Sequence, residues 1–327
     1  MAELRRVSDY SALLQEAWSQ ATAPRASNAP TVISTFAGCG GSSLGYHMAG
    51  FRELLAVEWE QNAADTFRLN FPHVPLYLGD IASLSVDECL RLAGVSPGEL
   101  DVFDGSPPCQ GFSTAGTREI GDARNKLFRE YCRLLDGLRP RAFVMENVSG
   151  MVKGDFKLVF AEILRTLRGC GYRVKARLLN AQFFGVPQSR ERMIFVGIRE
   201  DIGIDPSHPE GWSEPMPARS VHPSWSHVLC GGGGRDNWKP SSIVFPTITK
   251  AAGTTSRTGY MSGGHFVREA SGVERRPTLA EFRDLGSFPP QFQFVGTRES
   301  GVERIGNSVP PLLMRSVASH VRKLIAR

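Results

Sequence analysis

The chain has 327 residues, 41% hydrophobic and 22% charged, the make-up of a globular protein long enough for one large core or for one domain carrying a smaller one. No apolar run approaches the ~18 residues of a membrane span, and the N-terminus has no continuous apolar stretch of the kind that directs export, so membrane and secreted classes are excluded by expectation. The net charge of +5 is uneven: residues 1–198 hold 22 Lys and Arg against 21 Asp and Glu, whereas residues 199–327 hold 16 against 12, as expected of a C-terminal part that faces phosphates.

The first 20 residues place Leu13, Leu14 and Trp18 for one face of a short amphipathic helix. Residues 21–30 (ATAPRASNAP) have the composition of a flexible linker. Together they suit either a cap on the main domain or a disordered tail.

Residues 31–36 are a β-rich run leading into Ala37-Gly38-Cys39-Gly40-Gly41 and then Ser42-Ser43-Leu44-Gly45: strand, glycine turn, helix start. This predicts the first βα unit of a doubly wound nucleotide-binding fold. The next strand, 54–57, ends in Glu58-Trp59, with Glu58 20 positions after Gly38, the distance at which such folds place an acid for ribose hydroxyls. Trp59 offers a flat face to an adenine ring. A third strand, 74–78, ends in Gly79-Asp80, whose carboxylate can accept from an exocyclic amine. Ser43 replaces the third glycine of a full dinucleotide fingerprint, so a pyrophosphate site is not called for. Acid, aromatic and acid on successive strand ends describe an adenosine pocket instead, and S-adenosylmethionine fits it.

Residues 100–103 read as a buried strand, followed by Gly105-Ser106-Pro107-Pro108-Cys109-Gln110-Gly111-Phe112-Ser113. Two prolines fix the backbone ahead of one thiol, and flanking glycines leave room for a ligand. A lone Pro-Cys pair is more often an ordinary buried cysteine. Here the strand-end position and the surrounding residues argue for a nucleophile. Residues 114–121, polar and Gly-containing, predict a mobile loop, a helix is expected from 122 to about 138, and the expected strand 141–145 ends in Glu146-Asn147-Val148, a placement that can bring an acid to the same cleft as the cysteine. A helix near 156–168 comes next. Before the apolar strand 193–196, the alternation of Gln188, Arg190 and Arg192 puts three polar side chains on one face of an extended segment. That face is either a solvated edge or a row turned toward a base and its phosphates.

From 199 to about 271 periodicity fades and Pro, Gly, Trp and His become frequent, including four glycines at 231–234, which predicts a separate small domain of loops and short strands. Residues 276–285 read as a helix capped by Thr278, with Glu281 three later. The last element begins at Arg304, runs through Ile305-Gly306-Asn307-Ser308-Val309-Pro310-Pro311 and continues as an amphipathic C-terminal helix. The cysteines (39, 89, 109, 132, 170, 230) include no Cys-x-x-Cys and no His-rich cluster, so no metal is expected and a reducing cytoplasm is.

In their order along residues 31–325, the segments 36–41, Glu58-Trp59, Asp80, the Pro-Cys-Gln-x-Phe-Ser of 108–113, Glu146-Asn147-Val148, Gln188-x-Arg190-x-Arg192, the 276–285 helix and Gly306-Asn307-x-Val309-Pro310 resemble the cytosine-5 DNA methyltransferases, as in bacterial type II modification methylases. The resemblance implies a mixed, mostly parallel α/β sheet with helices on both faces plus a small irregular target-recognition domain. Its divisions would be an extension at 1–30, a catalytic domain at 31–198, target recognition at 199–303 and a C-terminal helix at 304–327 returning to the catalytic domain. It implies Cys109 as the nucleophile adding to cytosine carbon 6, Glu146 on ring nitrogen 3, Arg192 reaching the base with Arg190 in support, and a loop 110–124 that closes over a flipped base. Phe36, Gly38, Gly40, Glu58, Trp59, Asp80, Ile81, Pro108, Leu127, Asn307 and Ser308 would line an S-adenosylmethionine site. Gln110, Ser113, Asn147 and Gln188 would contact the substrate. The implied partner is double-stranded DNA, with a cognate restriction endonuclease in the same system but no contact between them; a monomer in the bacterial cytoplasm, at the nucleoid, is expected. A tRNA-directed relative is disfavoured by the absence of a Cys-Phe-Thr tripeptide in the recognition region, and a catalytically silent homologue by intact motifs. A nicotinamide oxidoreductase has no use for Cys109 with Glu146.

Overall fold

Short runs of Val, Ile, Leu and Phe, buried on both faces as in parallel sheets, form a central seven-stranded sheet in the computed structural model, which describes residues 10–108, 123–148, 157–229, 238–249, 252 and 265–326. The strands are β1 (Thr31–Thr35), β2 (Arg52–Glu58), β3 (Leu76–Leu78), β4 (Val102–Gly105), β5 (Ala142–Val148), β6 (Tyr172–Asn180) and β7 (Glu191–Arg199), in the order β3-β2-β1-β4-β5-β7-β6. The first five run parallel, and β7 is antiparallel to both β5 and β6. The mixed, mostly parallel sheet expected from the sequence is therefore present.

Helices cover both faces. On one lie α1 (Tyr10–Thr22), α2 (Gly41–Met48) and α9 (Pro311–Leu324); on the other lie α4 (Val86–Ala93), α5 (Ala123–Leu138) and α6 (Lys157–Gly169). The pleat divides the strands accordingly. Val32 and Val102 face the first layer, and Ile33 and Phe103 the second. Between β2 and β3 runs α3 (Gln61–Asn70).

The N-terminal segment is a cap. Tyr10, Leu13, Leu14 and Ala17 are buried, and the Tyr10 hydroxyl donates to the Asp284 carbonyl at 2.6 Å. The flexible linker expected at 21–30 is corrected in part. The helix runs on to Thr22, and the Arg25 guanidinium donates to the carbonyls of Gln20, Ala21, Phe51 and His47. One arginine satisfies the free carbonyls of a helix end, which Ala/Pro/Ser composition does not reveal.

Helices α2 and α9 cross at Gly45. A Cβ there would sit 2.6 Å from Met314 Cβ and 2.8 Å from both the Arg315 nitrogen and the Pro311 oxygen, backbone that cannot rotate away. Gly45→Ala is expected to destabilise the fold by about 1–3 kcal/mol through overpacking, read as a lower denaturant midpoint with an unchanged slope.

The smaller, antiparallel sheet contains β8 (Trp225–Leu229), β9 (Trp238–Pro240), β10 (Val267–Glu269) and β11 (Glu274–Arg275), in the order β11-β10-β8-β9. Its Trp225, Val228 and Val267 share one apolar cluster with α2 and α9. Then come α7 (Leu279–Leu285), with the expected Thr278–Glu281 capping box complete, and α8 (Arg298–Asn307). The single terminal element expected from Arg304 onward is thus two helices. Pro310 and Pro311 have no N–H to continue a helix, so α8 ends at Asn307 and α9 starts afresh with Pro311 in its first turn.

Candidate active site

The carboxyl ends of the parallel strands form one rim, the edge at which open α/β sheets bind ligands. After β1 the chain turns sharply: Phe36 has φ 55°, Gly38 57° and Gly40 98°. A positive φ on phenylalanine is a strained conformation that surrounding structure must impose. Glu58, at the end of β2, supplies much of that restraint. Its Oε2 accepts from the Gly38 amide at 2.7 Å, while Oε1 accepts from the Trp59 and Glu60 amides at 2.9 and 2.8 Å. Among the described residues, no atom beyond the chain neighbours lies within 4 Å of where a Gly38 Cβ would be, so the turn has room beside it. Beside it the Trp59 ring is 78% exposed. Asp80 is exposed after β3, its Oδ1 accepting from Ala82, and the neighbouring Ile81 is buried. Leu127, on α5, packs half-buried against the core beneath.

The C-terminal segment closes this rim from the other side. Asn307 is exposed, and the Ser308 hydroxyl lies 3.1 Å from Cys39 Sγ and donates to the Arg304 carbonyl at 2.7 Å. Burial pushes the Cys39 thiol up to about 11, against the weaker opposing effects of Ser308 and Arg304. It is an inert packing thiol. Sequence reading missed Arg304 itself. It is 5% exposed, donates to Glu60 at 2.5 Å and to the Asn62 side-chain oxygen at 3.0 Å, and so rivets the C-terminal segment to the turn that carries Glu58 and Trp59. The one available signal was its place one turn ahead of Asn307-Ser308.

At the end of β5, Glu146 is buried and its Oε1 meets Arg192 Nε at 2.5 Å. The Arg192 and Glu146 side chains are 14% and 11% exposed, so their attraction is screened less than on an open surface, against the cost of taking both charges out of water. Asn147 Nδ2 donates to the Pro107 carbonyl at 3.0 Å, and its own Oδ1 accepts from Val148. The amide side chain thereby fixes the turn leaving β4 against the end of β5. Pro108, which follows, is exposed. Cys109, Gln110 and Ser113, expected as nucleophile and substrate contacts, lie outside the described residues, as do most of the loop expected to close and the glycines at 231–234.

The three polar residues expected on one face part company. Arg192 reaches Glu146, whereas Gln188 and Arg190 are 1% and 2% exposed inside the chain. Gln188 donates to the Leu285 carbonyl and accepts from the Ile248 amide. Arg190 donates to the Ile248 and Gly306 carbonyls at 2.8 and 2.7 Å. Burial, and then the charge of Arg192, pull the Arg190 guanidinium down to about 9. Neither side chain forms a solvated edge or a surface row; the two are internal struts joining the approach to β7, the smaller sheet's neighbourhood and the end of α8. The alternation was real, but backbone carbonyls from distant segments claimed two of the three.

The family model for C-5 cytosine-specific DNA methylases matches residues 30–227 and 213–323. The chain belongs to that family. Among its relatives, the type II methyltransferase M1.HphI of Haemophilus parahaemolyticus is 35% identical, over 90% of this chain and 87% of that one. The type II methyltransferase M.NgoPII of Neisseria gonorrhoeae is 30% identical, over 94% of this chain and all of that one. A solved structure from an E. coli prophage, described as a DNA modification methyltransferase, aligns with a TM-score of 0.72 at 22% identity, over 91% of this chain and 100% of its own, a likeness of fold. This DNA cytosine-5 methyltransferase thus carries its glutamate–arginine pair on the same rim as the glycine turn. Among its described residues no helix is long and apolar enough to cross a membrane, and no His/Cys/Asp/Glu group is arranged to hold a metal ion.

Proposed function

We propose that this methylase transfers the methyl group of S-adenosylmethionine to carbon 5 of a cytosine turned out of duplex DNA, with Cys109 as the covalent nucleophile. The buried Glu146–Arg192 pair at 2.5 Å, set beside the turn that Asn147 fixes, is the observation that carries this reading.

The residues on the rim suit the methyl donor. Gly38 would give its ribose room, Glu58, 20 positions after Gly38 at the end of β2, would take the ribose hydroxyls, Trp59 offers an uncovered ring to adenine, and Asp80 an exposed carboxylate to the exocyclic amine. Phe36, Gly40, Ile81, Pro108, Leu127, Asn307 and Ser308 complete that pocket in this reading. When bound, the donor supplies an electrophilic methyl on sulfonium sulfur.

Cytosine carbon 5 is a weak nucleophile. Cys109 thiolate would add to carbon 6, pushing electron density to carbon 5, which takes the methyl group as its bond to sulfonium sulfur breaks and leaves the electron pair on sulfur; water then takes the carbon 5 proton, and the returning C5–C6 double bond expels the thiolate. Glu146 holds a proton at ring nitrogen 3, where negative charge would otherwise build, and Arg192 keeps that carboxyl oriented while reaching the base. The target must leave the base stack for a thiol to reach carbon 6. Residues 31–198 with the 304–327 segment form the catalytic part, and residues 199–303 read the target. Asn147, Gln188 and Arg190 act by positioning. A monomer in the bacterial cytoplasm, paired in its system with an endonuclease it does not touch, completes the reading.

The experiment is base-resolution mapping of 5-methylcytosine in host DNA after expression in a methylation-free bacterium. Methylation in one recurring context is expected. Its absence with soluble, donor-binding protein would overturn the reading in favour of RNA or a silent homologue. Trp59→Ala is expected to raise the KM for the donor about tenfold, roughly 1.4 kcal/mol of lost stacking, with kcat and melting temperature nearly unchanged because the ring packs on little else.

A further inference from the structure

The sheet brings a row of cations into line with the active site. Strand β6 is the outer edge of the seven-stranded sheet, and its pleat sends Tyr172, Val174 and Ala176 into the core on the α5–α6 side. Arg173, Lys175 and Arg177 therefore point to the opposite face, and all three are exposed. Cross-strand register fixes where that row starts. Glu146 pairs with Ile194, and Ile194 pairs with Arg177, so the three form one transverse line across β5, β7 and β6. Directly opposed residues share a face. At about 4.8 Å per strand, the Arg177 backbone lies roughly 10 Å from that of Glu146. Arg192, two residues before Ile194, projects from the same face.

Residues two apart on a strand are about 6.6 Å apart, so the three cations extend some 13 Å away from the catalytic end, the rise of about four phosphates on one DNA strand. Arg173 has an exposed partner, Asp205, at 3.2 Å. Among the described residues no acidic side chain pairs with Lys175 or Arg177. Burial lowers the pKa of His208, the 2.9 Å contact of its Nε2 with the Ile194 carbonyl opposes that, and the fields of Arg177, His320 and Lys175 add smaller lowering effects. Two of the three cations, Lys175 and Arg177, thus stand beside a DNA-modifying site without an acidic partner among the described residues, an arrangement suited to a polyanion.

We propose that Arg173, Lys175 and Arg177 form a phosphate track that holds the duplex flanking the target base, outside the cleft in which the base itself is read. The inference rests on duplex DNA being the substrate. The track adds affinity and register without sequence preference, as phosphate contacts do.

The test is binding of the full chain to two duplexes, one carrying the mapped target and one lacking it, over a range of salt. The double variant Lys175→Gln/Arg177→Gln, both exposed positions away from the chemistry, is expected to flatten the slope of log affinity against log salt by about 1.8 on both duplexes, two phosphate contacts' worth. Its kcat at saturating DNA is expected to match the parent. An unchanged slope would overturn the proposal. So would an unchanged slope with self-association of the variant, which would show that the charges only keep an edge strand from pairing. Methyl transfer by the parent chain to the target duplex is read in parallel. Its absence would strike the proposed function, whereas transfer with an unaltered salt slope strikes the track alone.

Discussion

Cys109→Ser is expected to abolish methyl transfer, by a factor on the order of 10⁵ or more, while the dissociation constant for S-adenosylmethionine stays within about twofold of the parent. The asymmetry comes from what the two steps need. In the proposed reading, binding of the donor draws on Glu58, Trp59 and Asp80 at the ends of β2 and β3, and on the Asn307–Ser308 corner, whose hydrogen bonds do not involve the thiol. Transfer requires a nucleophile that is anionic near neutral pH. A serine hydroxyl is not, and it has no compensating base in the roles assigned here. Other thiols are poor substitutes: burial raises the Cys39 thiol to about 11 and the Cys89 thiol to about 12. A duplex bearing 5-fluorocytosine at the mapped position gives a second readout. Fluorine takes the place of the carbon 5 hydrogen and leaves no proton to remove in the releasing elimination, so the parent should form an adduct that survives denaturation and the variant none. An adduct formed by the serine variant, or residual turnover within a hundredfold of the parent, would reassign the nucleophile.

The fold was legible because its signals are local. Runs such as Val32-Ile33 and Phe143-Val144-Met145 declare buried strands, and the glycines just after β1 occur where the backbone takes positive φ. Thr278 and Glu281 announce a cap three residues apart, and both of its hydrogen bonds form. Local signals also fix which strand ends carry Glu58, Asp80 and Glu146. What stayed hidden is long-range. Arg304 meets Glu60 across 244 positions, Arg190 meets Gly306 across 116, and Gln188 meets Leu285 across 97. Each of these polar side chains is satisfied by an element that pattern alone cannot bring near, because burial of a charge is decided by partners and not by periodicity. Arg25 is the same case on a smaller scale: its segment reads as a linker until the carbonyls it binds are in place. The Pro310-Pro311 break is different. Its signal was present, and the amphipathic spacing on either side obscured it.

Glu146→Gln separates the chemistry of the acid from its architecture. The amide keeps the size of the side chain and can still accept from Arg192 Nε, which meets Oε1 at 2.5 Å in the parent. It cannot carry a proton to and from ring nitrogen 3. If proton placement is the role, kcat should fall by about 10²–10⁴ with little change in DNA affinity. Stability should fall by only about 1–3 kcal/mol, the penalty for leaving the mostly buried Arg192 without a counter-charge. Arg192→Gln removes the other half of the pair and leaves the carboxylate buried, so its loss should appear in both stability and turnover. The double variant then decides between the two accounts. If the pair acts as one catalytic unit, its turnover should be scarcely lower than that of Glu146→Gln alone, because the second change removes an orienting group whose object is already gone. Independent, multiplying losses would mean that Arg192 reaches the base on its own account and that Glu146 is held by something else.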